Sequence, residues 1–210
     1  MALSWTRLAA TVIGCAWLSG CEAPVQGVER GEHLFDTCGA CHGPNGGGIA
    51  EYGAPAVAGM ASWYAESQIV KFRDGVRGSH PDDVEGLRMR PMARSLNHEG
   101  DLASVVEYLA AMPKSAPAAT LAGDAAKGKT LYTTCTACHQ ADGTGNEAMK
   151  APALVGLDDW YIVRQLQNFK SGVRGSDATA DPQGSQMRVF ASTLADEAAM
   201  RDIAAYIQSL

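Results

Sequence analysis

Two five-residue stretches concentrate the chemistry of this chain, Cys38-Gly39-Ala40-Cys41-His42 and Cys135-Thr136-Ala137-Cys138-His139. Two thiols three residues apart on one turn of helix reach the two vinyl groups of a single porphyrin, and the next residue swings its imidazole onto the iron. Each pentapeptide therefore reads as an attachment site for one covalent haem c, with Cys38, Cys41, Cys135 and Cys138 as thioether donors and His42 and His139 as axial ligands. A lone Cys-x-x-Cys can also be half a zinc site or a thioredoxin-like redox pair. Zinc wants four ligands and the redox pair wants a βαβ setting that this chain lacks, so two copies with the histidine attached favour two haems.

The two motifs belong to a longer repeat. Cys38 and Cys135 lie 97 residues apart (135 − 38), and the same offset relates Ala54-Pro55-Ala56 to Ala151-Pro152-Ala153 and Trp63-Tyr64 to Trp160-Tyr161. It also relates Gly75-Val76-Arg77-Gly78-Ser79 to Gly172-Val173-Arg174-Gly175-Ser176. Further on the offset becomes 98, pairing Leu96 with Leu194 and Tyr108 with Tyr206, so one residue separates the copies between Ser79 and Met89.

The repeat bears on the sixth iron ligand. An iron held by histidine alone keeps a face open to oxygen or peroxide, whereas a methionine sulfur closes it and raises the potential. In the first copy the candidates are Met89 and Met92; the offset of 98 takes Met89 to Met187 but Met92 to Phe190. Met89 and Met187 are thus the expected ligands, on polar, Arg-flanked loops where a packing residue has little reason to be. Core filling is the other common role of methionine, and it is the expectation for Met92, Met112, Met149 and Met200.

Helices must position these groups. Residues 28–37 lead into the first motif, 62–72 carry apolar residues at helical spacing, and 99–111 form an amphipathic closing helix; the second copy repeats this at 125–134, 160–169 and 196–210. Glycine-rich loops lie between, at 43–48 and 143–145, and no alternating strand pattern is present. The expected fold is all-α, with one domain over 27–112, a Pro- and Ala-rich linker over 113–122, and a second domain over 123–210. The chain has 210 residues and a formal charge of −6, which gives no basic face for nucleic acid. With only 7% aromatic residues the two lobes have thin cores, so a buried porphyrin is part of each fold.

The N-terminal stretch belongs to transport. Arg7 precedes an apolar run at 8–18 that is short for a bilayer span, and Ser19 and Gly20 follow, as in an export signal over 1–20. Leu18-Ser19-Gly20-Cys21 resembles the bacterial lipobox, which makes Cys21 the lipidated first residue and 21–26 a short tether. An ordinary signal-peptidase site or an uncleaved helix is the alternative. Four cysteines lie in the haem motifs, Cys15 lies in the leader and Cys21 carries lipid, so no pair remains for a disulfide.

Over about residues 27–210 the layout resembles the di-haem cytochrome c₄ family, a duplicated class I cytochrome c fold. The resemblance rests on the two Cys-x-x-Cys-His lobes, an Ala-Pro-x segment, Phe-x-x-Gly-x-Arg, and Met-x-x-x-Ala-x-x-Leu before the last helix. It implies that Pro55 and Pro152 offer their carbonyls to the second nitrogen of each ligating histidine, where the alternative is a plain turn proline. The repeated Tyr64, Tyr161, Trp63, Trp160, Arg77 and Arg174 are candidates to meet haem propionates; packed aromatics and solvated arginines are the alternative. The lipobox departs from the family pattern.

These readings combine into an exported electron carrier, not an enzyme, lipid-anchored on the periplasmic side of a bacterial membrane. It would pass single electrons from a quinol-oxidising complex to a terminal oxidase or reductase. The competing readings are a di-haem peroxidase, a sulfur-compound oxidoreductase, or a fixed haem subunit of a respiratory complex. An acidic surface suits a partner with a positive docking patch.

Overall fold

The computed structural model describes residues 26–210. The export signal over 1–20, Cys21 and the tether as far as residue 25 lie outside the described residues. The first lobe comprises α1 (Gly27–His42), a 3-10 turn (Ala50–Tyr52), α2 (Ser62–Arg73), α3 (Val84–Ser95) and α4 (Asp101–Ala111). The second comprises α5 (Ala125–Tyr132), α6 (Thr136–His139), a 3-10 turn (Glu147–Met149), α7 (Asp159–Ser171), α8 (Pro182–Ser192) and α9 (Glu197–Gln208). Among the described residues the extended backbone amounts to two isolated bridges, Ile49 with Ala54 and Asn146 with Ala151.

In each lobe the first and last helices cross closely, because glycine sits at the crossing. A Cβ on Gly31 would lie 2.0 Å from the Ser104 carbonyl oxygen, and one on Gly128 would lie 1.9 Å from that of Asp202. Beside these contacts Phe35 meets Tyr108 and Tyr132 meets Tyr206, both pairs at 5.4 Å between tilted rings. The first core gathers Phe35, Ala65, Val105, Val106, Leu109 and Met112. The second gathers Tyr132, Ile162, Val163, Met200, Ile203 and Ile207, so each is small for its lobe.

Two sequence expectations are corrected here. The stretches bearing Met89 and Met187 are helices, α3 and α8, and not polar loops. Asp83 and Asp181 start them by accepting from the amides of Gly86 at 3.1 Å and Gly184 at 2.9 Å, and Pro182 takes the first position of α8. Their buried faces hold only Gly86 and Ala93, and Gly184 and Ala191, so almost no apolar periodicity announces them. Met112 and Met200 are buried as expected, whereas Met92 and Met149 are 40% and 49% exposed and fill no core. The extra residue of the second copy falls before α8: Gly78 faces the Gly86 carbonyl and Gly175 faces that of Gly184, bracketing the change of offset.

Candidate functional site

Each pentapeptide histidine ends a helix. α1 runs through the first motif to His42 and turns at Gly43, where φ is 78°. In the second lobe α5 stops at Tyr132, the short α6 carries the chain to His139, and Gln140 takes the equivalent turn at φ 65° and ψ 160°, a region that costs a residue with a Cβ about 1–3 kcal/mol. The loop then folds back, with Gly48 and Gly145 donating to the His42 and His139 carbonyls at 2.8 and 3.0 Å. Glycine is required at both, since a Cβ would lie 2.6 Å from the Ala56 nitrogen or 2.5 Å from that of Ala153. This return delivers the proline carbonyls to the imidazoles: His42 Nδ1 is 2.8 Å from Pro55 O, and His139 Nδ1 is 2.8 Å from Pro152 O.

A carbonyl can only accept, so Nδ1 of each ring carries the proton and the Nε2 lone pair is left for a metal. Both rings are buried, and burial pushes them below the ordinary histidine range despite the proline carbonyls, which act the other way. The four motif cysteines form no disulfide with one another, and burial pushes the Cys38 and Cys135 thiols up. In the second lobe a cavity of about 410 Å³ brings together Cys135, Cys138, His139, Pro152 and Met187. Met187 and its counterpart Met89 are half-buried on α8 and α3. Phe190, the counterpart of Met92, also borders that cavity but is 44% exposed and has no atom to offer iron.

The repeated arginines are buried, so the solvated alternative does not hold for them. Arg77 and Arg174 are buried between the lobes, where α2 and α7 meet. Arg77 donates to Gln68 Oε1 at 2.8 Å and to Gln165 Oε1 at 3.3 Å; Arg174 donates to Gln165 at 2.8 Å and to Gln68 at 2.9 Å. Each guanidinium also lies over a phenylalanine of its own lobe, Phe72 at 4.3 Å and Phe169 at 4.5 Å. Tyr64 and Tyr161 line the second cavity with Arg174, and Tyr64 Oη accepts from Arg174 at 3.5 Å. Trp63 and Trp160 stack edge-on against these tyrosines, and Lys150 of the second lobe lies over Trp63.

This cluster tests whether the chain fits haem. Among the described residues neither Arg77 nor Arg174 is paired with a carboxylate, and the Nε atom of each is buried with no acceptor. Two buried cations without anions are costly. A ligand that carries carboxylates on one edge and presents an iron and two vinyl carbons elsewhere would answer these guanidiniums together with the imidazole Nε2, the thiols and the methionine sulfur. Haem has that composition.

Sequence reasoning missed Gln68 and Gln165, although they are related by the offset of 97 and could have been found by it. It also missed Lys71, which reaches Asp181 at 2.6 Å, and Asp158, which accepts from the Ala56 amide at 2.7 Å. The positions equivalent to Lys71 and Asp158 in the other copy are Asn168 and Ala61, so the repeat gave no signal for either.

A family model described as cytochrome c matches residues 28–113 and again 125–210. The chain is 31% identical over 194 residues to cytochrome c4 of Azotobacter vinelandii, covering 86% of this chain and 87% of that one. Reduced cytochrome c4 from Pseudomonas stutzeri superimposes with a TM-score of 0.68 at 25% identity, over 89% of this chain and 100% of that one. The thiosulfate dehydrogenase TsdBA of Marichromatium purpuratum superimposes with a TM-score of 0.70 at 31% identity, over 87% of this chain but 40% of that one. With two tandem domains that each bind a covalent haem c, the chain belongs to the cytochrome c family as a di-haem member of the cytochrome c4 type.

Proposed function

We propose that this di-haem electron-transfer protein is a lipid-tethered carrier, exported and held at the periplasmic side of a bacterial membrane, that relays single electrons from a quinol-oxidising complex to a terminal oxidase or reductase. When bound, haem c supplies a one-electron iron couple. The chain's residues do the rest. Cys38 with Cys41 and Cys135 with Cys138 hold the rings, His42 and His139 supply nitrogen to the irons, and the Pro55 and Pro152 carbonyls orient those imidazoles. Met89 and Met187 would supply the sulfur ligands, so that little would reorganise when charge changes and small ligands would be kept out. Arg77 and Arg174, with Tyr64 and Tyr161, would receive the propionates.

The observation that carries this reading is the doubled site: both lobes have a buried histidine bound to a proline carbonyl and a half-buried methionine at equivalent places on α3 and α8. A catalyst would leave one of them without its closing ligand. Mass spectrometry of the purified protein should give the mature chain plus two haems, and a redox titration should show two one-electron steps with no carbon monoxide binding. Carbon monoxide binding at one haem would favour a peroxidase-like enzyme instead. The likeness to TsdBA supports a second reading, in which the donor is a sulfur-compound oxidoreductase. If this chain only accepts electrons, thiosulfate alone should leave it oxidised; reduction by thiosulfate without a second protein would make it the oxidoreductase.

The tether rests on Leu18-Ser19-Gly20-Cys21. Cys21→Ser should move the protein from the membrane pellet to the soluble fraction, since it removes the lipid that holds it. A variant that stays in the pellet to the same extent would replace the lipid with an uncleaved helix or a fixed place in a respiratory complex.

A further inference from the structure

The two lobes are alike in their iron sites but unlike in what stands behind the imidazoles. Behind His42 the Pro55–Ala56 peptide is gripped at both ends: its carbonyl accepts from His42 Nδ1 at 2.8 Å, and its N–H donates to Asp158 Oδ2 at 2.7 Å. Asp158 belongs to the other lobe. Behind His139 the equivalent peptide, Pro152–Ala153, has the same bond to the imidazole at 2.8 Å, but Ala153 N–H meets no acceptor among the described residues. The position equivalent to Asp158 is Ala61, which has no side-chain oxygen to offer.

We propose that Asp158 is a positioning residue for the iron of the first lobe: acting across the lobe boundary through the Pro55–Ala56 peptide, it strengthens the hydrogen bond on His42 and lowers that haem's reduction potential, with no counterpart in the second lobe. The inference rests on the reading of His42 as an axial ligand. A carboxylate on a peptide N–H polarises the peptide and makes its carbonyl oxygen a better acceptor, as in any chain of hydrogen bonds. A better acceptor on Nδ1 makes the imidazole a stronger donor to iron, which favours the oxidised metal. The carboxylate charge acts in the same direction.

Two further observations separate this from ordinary structural use of an aspartate. Asp158 stands at the N-cap position of α7, where an aspartate usually accepts from the first amides of its own helix, yet its side chain caps none of them. Nor does any lysine or arginine among the described residues pair with it, in contrast to Asp181 with Lys71 and Glu85 with Arg164 at the same boundary. Burial, helped by the neighbouring Asp159 charge, pushes its carboxyl above the ordinary value, more than the Ala56 amide, its own amide and the Trp160 side chain pull it down. A carboxyl whose folded value is raised favours the fold when protonated and loses that contribution as pH rises through the raised value. At neutral pH its charge therefore gives the fold little, while it stands one peptide away from the His42 imidazole.

The test is a redox titration of the full-length di-haem protein against Asp158→Asn and Asp158→Ala, with each haem resolved. Both variants should raise the potential of the first-lobe haem by at least a threefold change in its reduction equilibrium, about 28 mV at 59 mV per tenfold for one electron, and leave the second unchanged. The Nδ1 proton resonance of His42 in the reduced protein should move upfield while that of His139 stays. Melting temperature at pH 7 should change little for Asp158→Asn. Two intact haems with neither potential moved, or with both moved alike, would overturn the role of Asp158 and leave the carrier reading standing. A wild-type protein without two low-spin haems would overturn the carrier reading itself.

Discussion

At the scale of single residues the decisive question is which sulfur closes each iron. Met89 and Met92 are three apart on α3 and so share one side of the helix, but Met89 is half-buried and Met92 is 40% exposed. The Met92 carbonyl is taken by Ser95 Oγ at 2.7 Å, a local bond on the exposed side. Met89→Ala and Met187→Ala should therefore each open one iron. Each should remove about half of the weak far-red band that marks sulfur bound to ferric haem, lower one potential and admit cyanide or carbon monoxide, whereas Met92→Ala should do none of these. A first haem that opens in Met92→Ala and stays closed in Met89→Ala would show that the copies are misaligned on α3. The candidate histidines and cysteines are marked by spacing alone because haem attachment demands adjacent residues. The candidate methionines needed the repeat, since nothing local marks a thioether that could ligate.

At the scale of elements, what was legible followed apolar content. The helices with real hydrophobic faces, α4, α7 and α9, lie where periodicity placed them, within a residue or two at their ends, and so does α2, whose buried side chains are Ala65, Gln68 and Phe72. α3 and α8 were invisible because they bury only glycine and alanine and because Pro91 inside α3 reads as a breaker, though Asp83 and Asp181 mark their starts. In α8 the larger side chains Gln186, Met187 and Phe190 border the cavity beside Cys135, Cys138 and His139, which leaves no protein-facing stripe to detect. The crossings of α1 with α4 and of α5 with α9 are the opposite case, since they depend on an absent side chain. Gly31→Ala and Gly128→Ala each put a methyl inside a backbone carbonyl, so the helices must separate, at a cost of about 1–3 kcal/mol or more. Chemical denaturation should show that loss in either lobe, whereas Gly100→Ala, with nothing within 4 Å, tests the strain of its φ of 83° and no crossing. Unchanged stability in both crossing variants would mean that the helices are not held at that distance.

At the scale of the molecule the two lobes meet through polar groups, and the repeat that made them alike does not describe how they join. The boundary breaks the symmetry with Lys71–Asp181, whose repeat counterpart would set Asn168 against Asp83, and with Arg164–Glu85, whose counterpart would set Ser67 against Gln183. Lys71 and Asp181 are deeply placed, with side chains 15% and 2% exposed at 2.6 Å. Burial alone would raise the Asp181 carboxyl, but Lys71 and the Gly184 amide outweigh it and hold it below its ordinary value of 3.8. Removing one partner strands a buried charge, so Lys71→Met should cost about 3 kcal/mol at pH 7. Lys71→Met with Asp181→Asn should recover most of it, because asparagine still caps α8 and nothing charged is left behind. The sign with pH follows from the lowered carboxyl: its contribution is fully present above 3.8 and disappears as pH falls through the folded value, so the gap between wild type and Lys71→Met should close in acid. Guanidinium unfolding at neutral and acid pH, followed at the haem bands, measures that gap; single and double variants of equal stability at pH 7, or a gap that acid leaves untouched, would mean that the ion pair does not hold the lobes together.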